Sequence, residues 1–215
     1  DDDDATGDDD DDATGDDDDD ATGDDDDATA DDDDSTFEGG YPVNNDLSGC
    51  NAQNFGPNAG VGDELPCVDI TTQFDEQYNL WNLRGSADYL VVDVCAMWAG
   101  PCQLINQWRQ TGNGYFQSGD YDGVWEALQD EDIRWMPTFF EGVSGGAIST
   151  AEVLDIYDTY GDSGAPLVVD DDQEFMLWMG AQGIPSLTLV ELDTMLVLVN
   201  DDTFAVMEFL NGQYP

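Results

Sequence analysis

Four cysteines hold most of the chemistry open to this 215-residue chain: Cys50, Cys67, Cys95 and Cys102. Histidine is absent, and the basic residues are three arginines, Arg84, Arg109 and Arg134. The lack of histidine removes Ser-His-Asp and Cys-His nucleophiles, HExxH zinc sites and imidazole acid/base work together. The lack of lysine removes Schiff-base catalysis and a P-loop lysine. Carboxylates, thiols, tyrosines and backbone dipoles remain. Cys95 and Cys102 stand seven residues apart, on either side of "AMWAGP", with Asp93 two residues before the first of them.

The elements around that stretch are legible. "DYLVVDVCAM", Asp88 to Met97, is a near-continuous apolar run with β-branched residues, which predicts a strand buried on both faces. "GPCQLINQWRQ" follows, with Pro101 suited to a first helical turn. Leu104, Ile105 and Trp108 are expected to form its apolar stripe, with Gln103, Asn106, Gln107 and Arg109 facing out. Farther on, "DGVWEALQD" reads as a helix and "IRWMPTFFEG" as a strand in which Pro137 suggests an edge or a bend. "STAEVLDIYDTYG" opens with Ser149 and Glu152 at capping-box spacing and closes on Gly161. "PLVVD", "SLTLVEL" and "MLVLV" read as strands and "QEFMLWMG" as a short helix. "DDTFAVMEFLNG" predicts a closing helix with Gly212 past its end. The alternation implies a three-layer α/β domain.

These residues carry a resemblance. "VDVCAMWAGPCQ" is similar to the "VDFWAxWCGPC" signature of thioredoxins, and most closely resembles the redoxin or TlpA-like branch of thiol-disulfide oxidoreductases. "VGDELP" (Val61 to Pro66), "LWNLRG" (Leu80 to Gly85) and "GAQGIPSLTLVE" (Gly180 to Glu191) resemble further redoxin segments in the expected order, the last holding the family's cis-proline at Pro185. The likeness spans about residues 60 to 212. It implies a thioredoxin-like α/β/α sandwich around a central mixed sheet, no cofactor, and a groove that takes an extended protein or peptide segment, formed by Trp98, Gly100, Pro101, Ile184 and Pro185. The family's attacking thiol sits at a helix N-terminus, where the dipole and free N–H groups lower its pKa, and a second cysteine one turn on resolves the mixed disulfide. Here the attacking position is Ala99 and the resolving position is Cys102.

Two readings of Cys102 stand side by side: a small buried residue kept by the fold, or half of a displaced dithiol. In the second, the loop from Ala96 to Gly100 folds back over the strand end. Cys95 and Cys102 then reach disulfide range, with Cα atoms about 4.4 to 6.8 Å apart. Asp93 matches the buried acid that the resemblance implies deprotonates the resolving thiol, and is alternatively a strand-end polar residue satisfied by backbone or water. Trp98 and Pro185 have plain structural roles as well, in packing and as a strand-start kink.

Cys50 and Cys67 flank the Gly/Pro/Asn-rich "NAQNFGPNAGVGDELP", which has no apolar periodicity. A structural disulfide is expected there, contributing roughly 3 kcal/mol by restricting the unfolded chain. Residues 1–36 form an imperfect Asp-rich repeat with 22 Asp and no Leu, Ile, Val or aromatic residue. That segment reads as a disordered acidic leader. It lacks the D-x-D-x-D-G alternation of a calcium loop, so weak Ca2+ association as counterion is expected rather than specific sites. Residues 37–59 read as an irregular Cys-containing linker and 60–215 as the redoxin domain.

The net charge of −48 speaks against nucleic acid and anionic membranes as partners. No apolar run of about 18 residues is present, so nothing is expected to span a membrane. The chain opens within a repeat, without Met, and reads as a mature or trimmed product. Four cysteines, no histidine and an acidic leader favour an oxidising, extracytoplasmic location: secreted, periplasmic or cell-surface anchored. The sequence thus leads to an exported redoxin-type protein with weak or altered thiol chemistry through Cys102, Cys95 and Asp93 and no metal site. The alternative is a non-catalytic binding module, or a calcium-responsive surface protein in which the leader is the working part.

Overall fold

A computed structural model describes residues 37–44, 46–50, 55, 59–117, 119–161 and 163–215. The Asp-rich leader, and with it the expected disorder and calcium association, lies outside the described residues. Along the chain come β1 (Asp69–Thr72), β2 (Gln77–Asn79), a 3-10 turn (Leu80–Leu83), β3 (Tyr89–Ala96), α1 (Gly100–Thr111), α2 (Asp122–Gln129) and β4 (Ile133–Glu141). They are followed by α3 (Thr150–Tyr160), β5 (Val168–Val169), α4 (Glu174–Met179), β6 (Ser186–Glu191), β7 (Leu196–Val199) and α5 (Thr203–Gln213). Among the described residues the strands form one mixed sheet in the order β2-β1-β5-β4-β3-β6-β7.

The apolar run read from the sequence is the central strand. β3 pairs in parallel with β4 and antiparallel with β6, and Leu90 to Ala96 are buried. Side chains alternate between two apolar clusters. Leu90, Val92 and Val94 join Val153 of α3 with Phe175 and Trp178 of α4. Val91 joins Ile105 and Trp108 of α1, Val124 and Leu128 of α2, and Val206, Met207 and Leu210 of α5. Helices on two sides of one sheet make the three layers expected from the alternating pattern.

Several local expectations are corrected. In α1 the buried face is Cys102, Ile105, Asn106, Trp108 and Arg109, while Leu104 is 45 % exposed. The spacing i, i+3, i+4, i+7 from Cys102 carries Asn106 and Arg109 inward, and polar type does not override that geometry when partners are at hand. Pro137 lies in an interior strand, not at an edge or bend, opposite Asp93. Its missing N–H is tolerated by alternation: Trp135 N–H points away from β3 to the carbonyl of Ser163, so the position two residues on also faces the β5 side, where the ladder begins only at Thr138. Gly212 lies within the last turn of α5 rather than beyond it. "PLVVD" yields only a two-residue strand. β1 and β2, too short and polar to be legible, form a hairpin at one sheet edge. The Ser149–Glu152 capping box is present at the start of α3.

Phe37 and Pro42, upstream of the first strand, pack against Tyr78 of β2. Phe37 meets Tyr78 edge-on at 4.8 Å between ring centroids, and Tyr78 Oη–H donates to the carbonyl of Pro42 at 2.7 Å.

Candidate functional site

β3 delivers Asp93 and Cys95 to its C-terminal end, and the turn after it reverses the chain into α1. Ala99 N–H donates to Ala96 O at 3.0 Å, closing the turn. Ala99 then serves as the N-cap, with φ −81° and ψ 115° and no side chain able to cap. Gly100 and Pro101 form the first turn and Cys102 follows as the third helical residue. The tight turn brings the helix start back over the strand end. Cys95 and Cys102 are joined in a disulfide with Cα atoms 5.8 Å apart, and each is only 1 % exposed.

Asp93 lies beside this cystine. Its Oδ1 stands 3.2 Å from Cys95 Sγ, and its Oδ2 accepts a hydrogen bond from Trp135 Nε1–H at 3.2 Å. Burial raises the pKa of the carboxyl to about 6, opposed by the Trp135 hydrogen bond and the positive charge of Arg109. Arg109 is itself held in the interior: Nη2 donates to Asn106 Oδ1 at 2.9 Å and Nη1 to Ser163 Oγ. A carboxyl poised in this range can give or take a proton near neutrality, and the group in contact with it is a sulfur.

The sequence-predicted groove residues differ in their exposure. Trp98 is 52 % exposed, and its Nε1–H donates to Glu141 Oε2 at 2.7 Å. Gly100 and Pro101 are exposed, and Ile184 and Pro185 are half-buried. The Ile184–Pro185 peptide is cis. The β3–β6 ladder ends on Val94 opposite Ser186, one residue short of Cys95 on one strand and of Pro185 on the other. The other cystine, Cys50–Cys67, has Cα atoms 5.3 Å apart, and Cys67 stands just before β1, which β5 and β4 separate from β3 in the sheet. No cysteine is free. Among the described residues no group of three or more His, Cys, Asp or Glu is placed to hold a metal.

No family model matches the sequence, and no curated protein matches it either. Solved structures do match the fold. A conserved protein of unknown function from Bacteroides fragilis aligns over 71 % of this chain and 99 % of its own, with TM-score 0.51 and 12 % identity. A domain of a possible thiol-disulfide isomerase from Cytophaga hutchinsonii aligns over 73 % of this chain and 93 % of its own, with TM-score 0.50 and 13 % identity. A thioredoxin-like protein from Bacteroides caccae is 17 % identical with TM-score 0.49; the match covers 72 % of this chain and spans half of that one's length. The fold is thioredoxin-like. Identities this low speak for the fold alone.

Within this thioredoxin-like frame, sequence reasoning missed three residues. Trp135 read as one apolar position of a strand, and only the β3–β4 register, which sets Val91 against it, brings its indole to Asp93. Arg109 was expected to face solvent, although the helical spacing from Cys102 through Ile105 was a signal for its inward face. Asp170 read only as the end of the strand-like segment "PLVVD". It is 3 % exposed, and its two oxygens accept from the backbone N–H groups of Phe175 and Met176, each at 3.1 Å, at the start of α4. Burial raises its pKa to about 6 against those bonds.

Proposed function

We propose that this chain is an exported thioredoxin-fold thiol-disulfide oxidoreductase in which Cys95 of β3 takes the place of the missing turn thiol at Ala99, so that the redox pair is Cys95 and Cys102. The observation that carries the reading is Asp93 Oδ1 at 3.2 Å from Cys95 Sγ, because a buried acid at that distance makes Cys95 the better leaving sulfur. A partner thiolate attacks Cys102 Sγ, forming the mixed disulfide and breaking the Cys95–Cys102 bond. Cys95 leaves as thiolate and takes the proton of neutral Asp93. A second partner thiol, as thiolate, attacks the partner's sulfur and releases Cys102 as thiolate beside the N-terminal N–H groups of α1, where a negative charge is favoured. The partner gains a disulfide and the protein a dithiol, so two electrons move and atoms balance.

Turnover is slow in this reading. Ala99 offers no surface thiol, and both sulfurs are 1 % exposed, so attack requires the first turn of α1 to lift. Trp98, Gly100, Pro101, Ile184 and Pro185 form the groove for an extended segment of the partner protein. Export is supported by all four cysteines being paired, as suits an oxidising compartment.

The inaccessibility of the sulfurs favours a second reading, a binding module that keeps the groove and uses the cystine as a staple. Insulin reduction with a dithiol donor separates the two. The oxidoreductase gives slow catalysis above background that Cys95→Ser abolishes; a rate equal to background in the wild type, with peptide binding retained, leaves the binding module.

A further inference from the structure

We infer that Trp135 is a positioning residue for this site, its indole N–H deciding which oxygen of Asp93 holds the proton that Cys95 receives. The inference rests on the reading of Asp93 as proton donor to Cys95. An indole N–H only donates, so the oxygen it meets is held as an acceptor. That oxygen is Oδ2. The carbonyl-type oxygen of a neutral carboxyl is the stronger acceptor, so the hydroxyl is left at Oδ1, the oxygen that stands against Cys95 Sγ. Without the indole the two oxygens become equivalent, and a proton placed on Oδ2 cannot reach the sulfur without rotation of a buried carboxyl.

Trp135 is built to hold this place. It is fully buried. Its backbone is pinned from both sides by one residue: its N–H donates to Ser163 O at 3.0 Å, and Ser163 Oγ–H donates to its carbonyl at 2.6 Å. The ring of Trp108 packs against the indole at 5.6 Å between centroids, and Phe116 backs Trp108 at 5.1 Å. Ser163 Oγ also accepts from Arg109 Nη1, so the buried cation and the indole belong to one hydrogen-bonded unit.

The groups that face Asp93 from the elements around it are few. α1 contributes Arg109, the charge acting on it through space, and Cys102, which titrates only once reduced. β3 itself contributes Cys95, with the same condition. The register partners on the neighbouring strands are Pro137 of β4 and Leu187 of β6, neither of which titrates.

The test is the rate at which a small dithiol reduces the native Cys95–Cys102 bond, measured at constant thiolate concentration from acid to neutral pH. The wild-type rate should fall with rising pH through one inflection, and Asp93→Asn should remove that inflection. Trp135→Phe should move it upward by about one pH unit, since the carboxylate loses a donor that favours its charged form. The same substitution made in an Asp93→Asn background should leave the rate without pH dependence. An inflection unmoved in Trp135→Phe overturns the role of Trp135, whereas a wild-type profile that Asp93→Asn does not alter overturns the role of Asp93 itself. Because Trp135→Phe could weaken the core, the wild-type indole Nε1–H resonance of Trp135 gives a second readout. It should titrate with the midpoint of Asp93 and stop doing so in Asp93→Asn; a resonance that ignores pH in the wild type counts against the positioning role.

Discussion

Asp93 and Cys95, two positions apart on β3, meet at 3.2 Å between carboxyl Oδ1 and Sγ while each is 1 % exposed. The i, i+2 spacing of a strand sets the two side chains toward one side, and the turn that starts α1 closes the third party, Cys102, over them. Acid, leaving sulfur and helix N-terminus are thus assembled from ten consecutive residues, Asp93 to Cys102.

The burial of Asp93 gives stability a pH dependence. The unfolded carboxyl ionises near 3.8 and the folded one near 6. Between these values the folded state keeps a proton that the unfolded state has lost, so stability falls as pH rises through the window and the loss is complete above it. Asp170 adds a second loss of the same sign over the same window. Each amounts to about 3 kcal/mol at most. Urea midpoints should therefore drop between about pH 4 and about pH 7, and Asp93→Asn should flatten that slope by its share. A slope unchanged in Asp93→Asn would show that the carboxyl is not held neutral.

Opening the Cys50–Cys67 ring should cost stability without touching the site. With a sequence separation of 17, the double substitution to Ser is expected to lower unfolding free energy by about 3 kcal/mol. Denaturant titration reads the loss, and the exchange rate at Cys95–Cys102 should remain within error of wild type below the transition.

Ala99→Cys tests whether the turn is a vacated thiol site. The position is the N-cap of α1 with Gly100 and Pro101 in place behind it, so an introduced thiol would feel the helix N-terminus. Acidic surroundings without Lys or His limit the gain. Combined with Cys95→Ser, which frees Cys102, it should raise insulin reduction on the order of tenfold above wild type. A folded double variant at wild-type background would contradict the site's placement. Ala99→Cys alone should gain less, because Cys95 competes for Cys102.

The groove residues make a separate prediction. Trp98→Ala should weaken binding of an extended, cysteine-free peptide from an unfolded protein by about tenfold, as read by fluorescence anisotropy. It should leave reduction of Cys95–Cys102 by a small dithiol nearly unchanged, since the indole bonds outward to Glu141 rather than to the cystine.

Much of the frame was legible because its signals are local. The β-branched run of β3, Pro101 in the first turn of α1 and the Ser149–Glu152 box each act within a few residues, and the structure carries all three. What escaped reading depends on partners far away in sequence. Arg109 turns inward to Ser163, 54 residues on, and there also donates to Asn106 on its own helix. Pro137 is tolerated in an interior strand because β5 starts pairing only one residue later. The contact of Trp135 with Asp93 follows from strand register across 42 residues, which no pattern within either strand encodes. Asp170 is hidden in a run of acids of which its neighbours Asp171 and Asp172 are exposed.

The most direct test of the account is a redox titration of the native protein in dithiol/disulfide buffers, with thiols trapped by alkylation and mapped by mass and the fold followed by near-ultraviolet circular dichroism. The account predicts a reversible two-electron transition in which Cys95 and Cys102 become alkylated together while Cys50–Cys67 stays oxidised and the tertiary signal is kept. If Cys95 and Cys102 resist reduction until the tertiary signal is lost, the cystine is a structural staple and the proposed oxidoreductase chemistry is wrong.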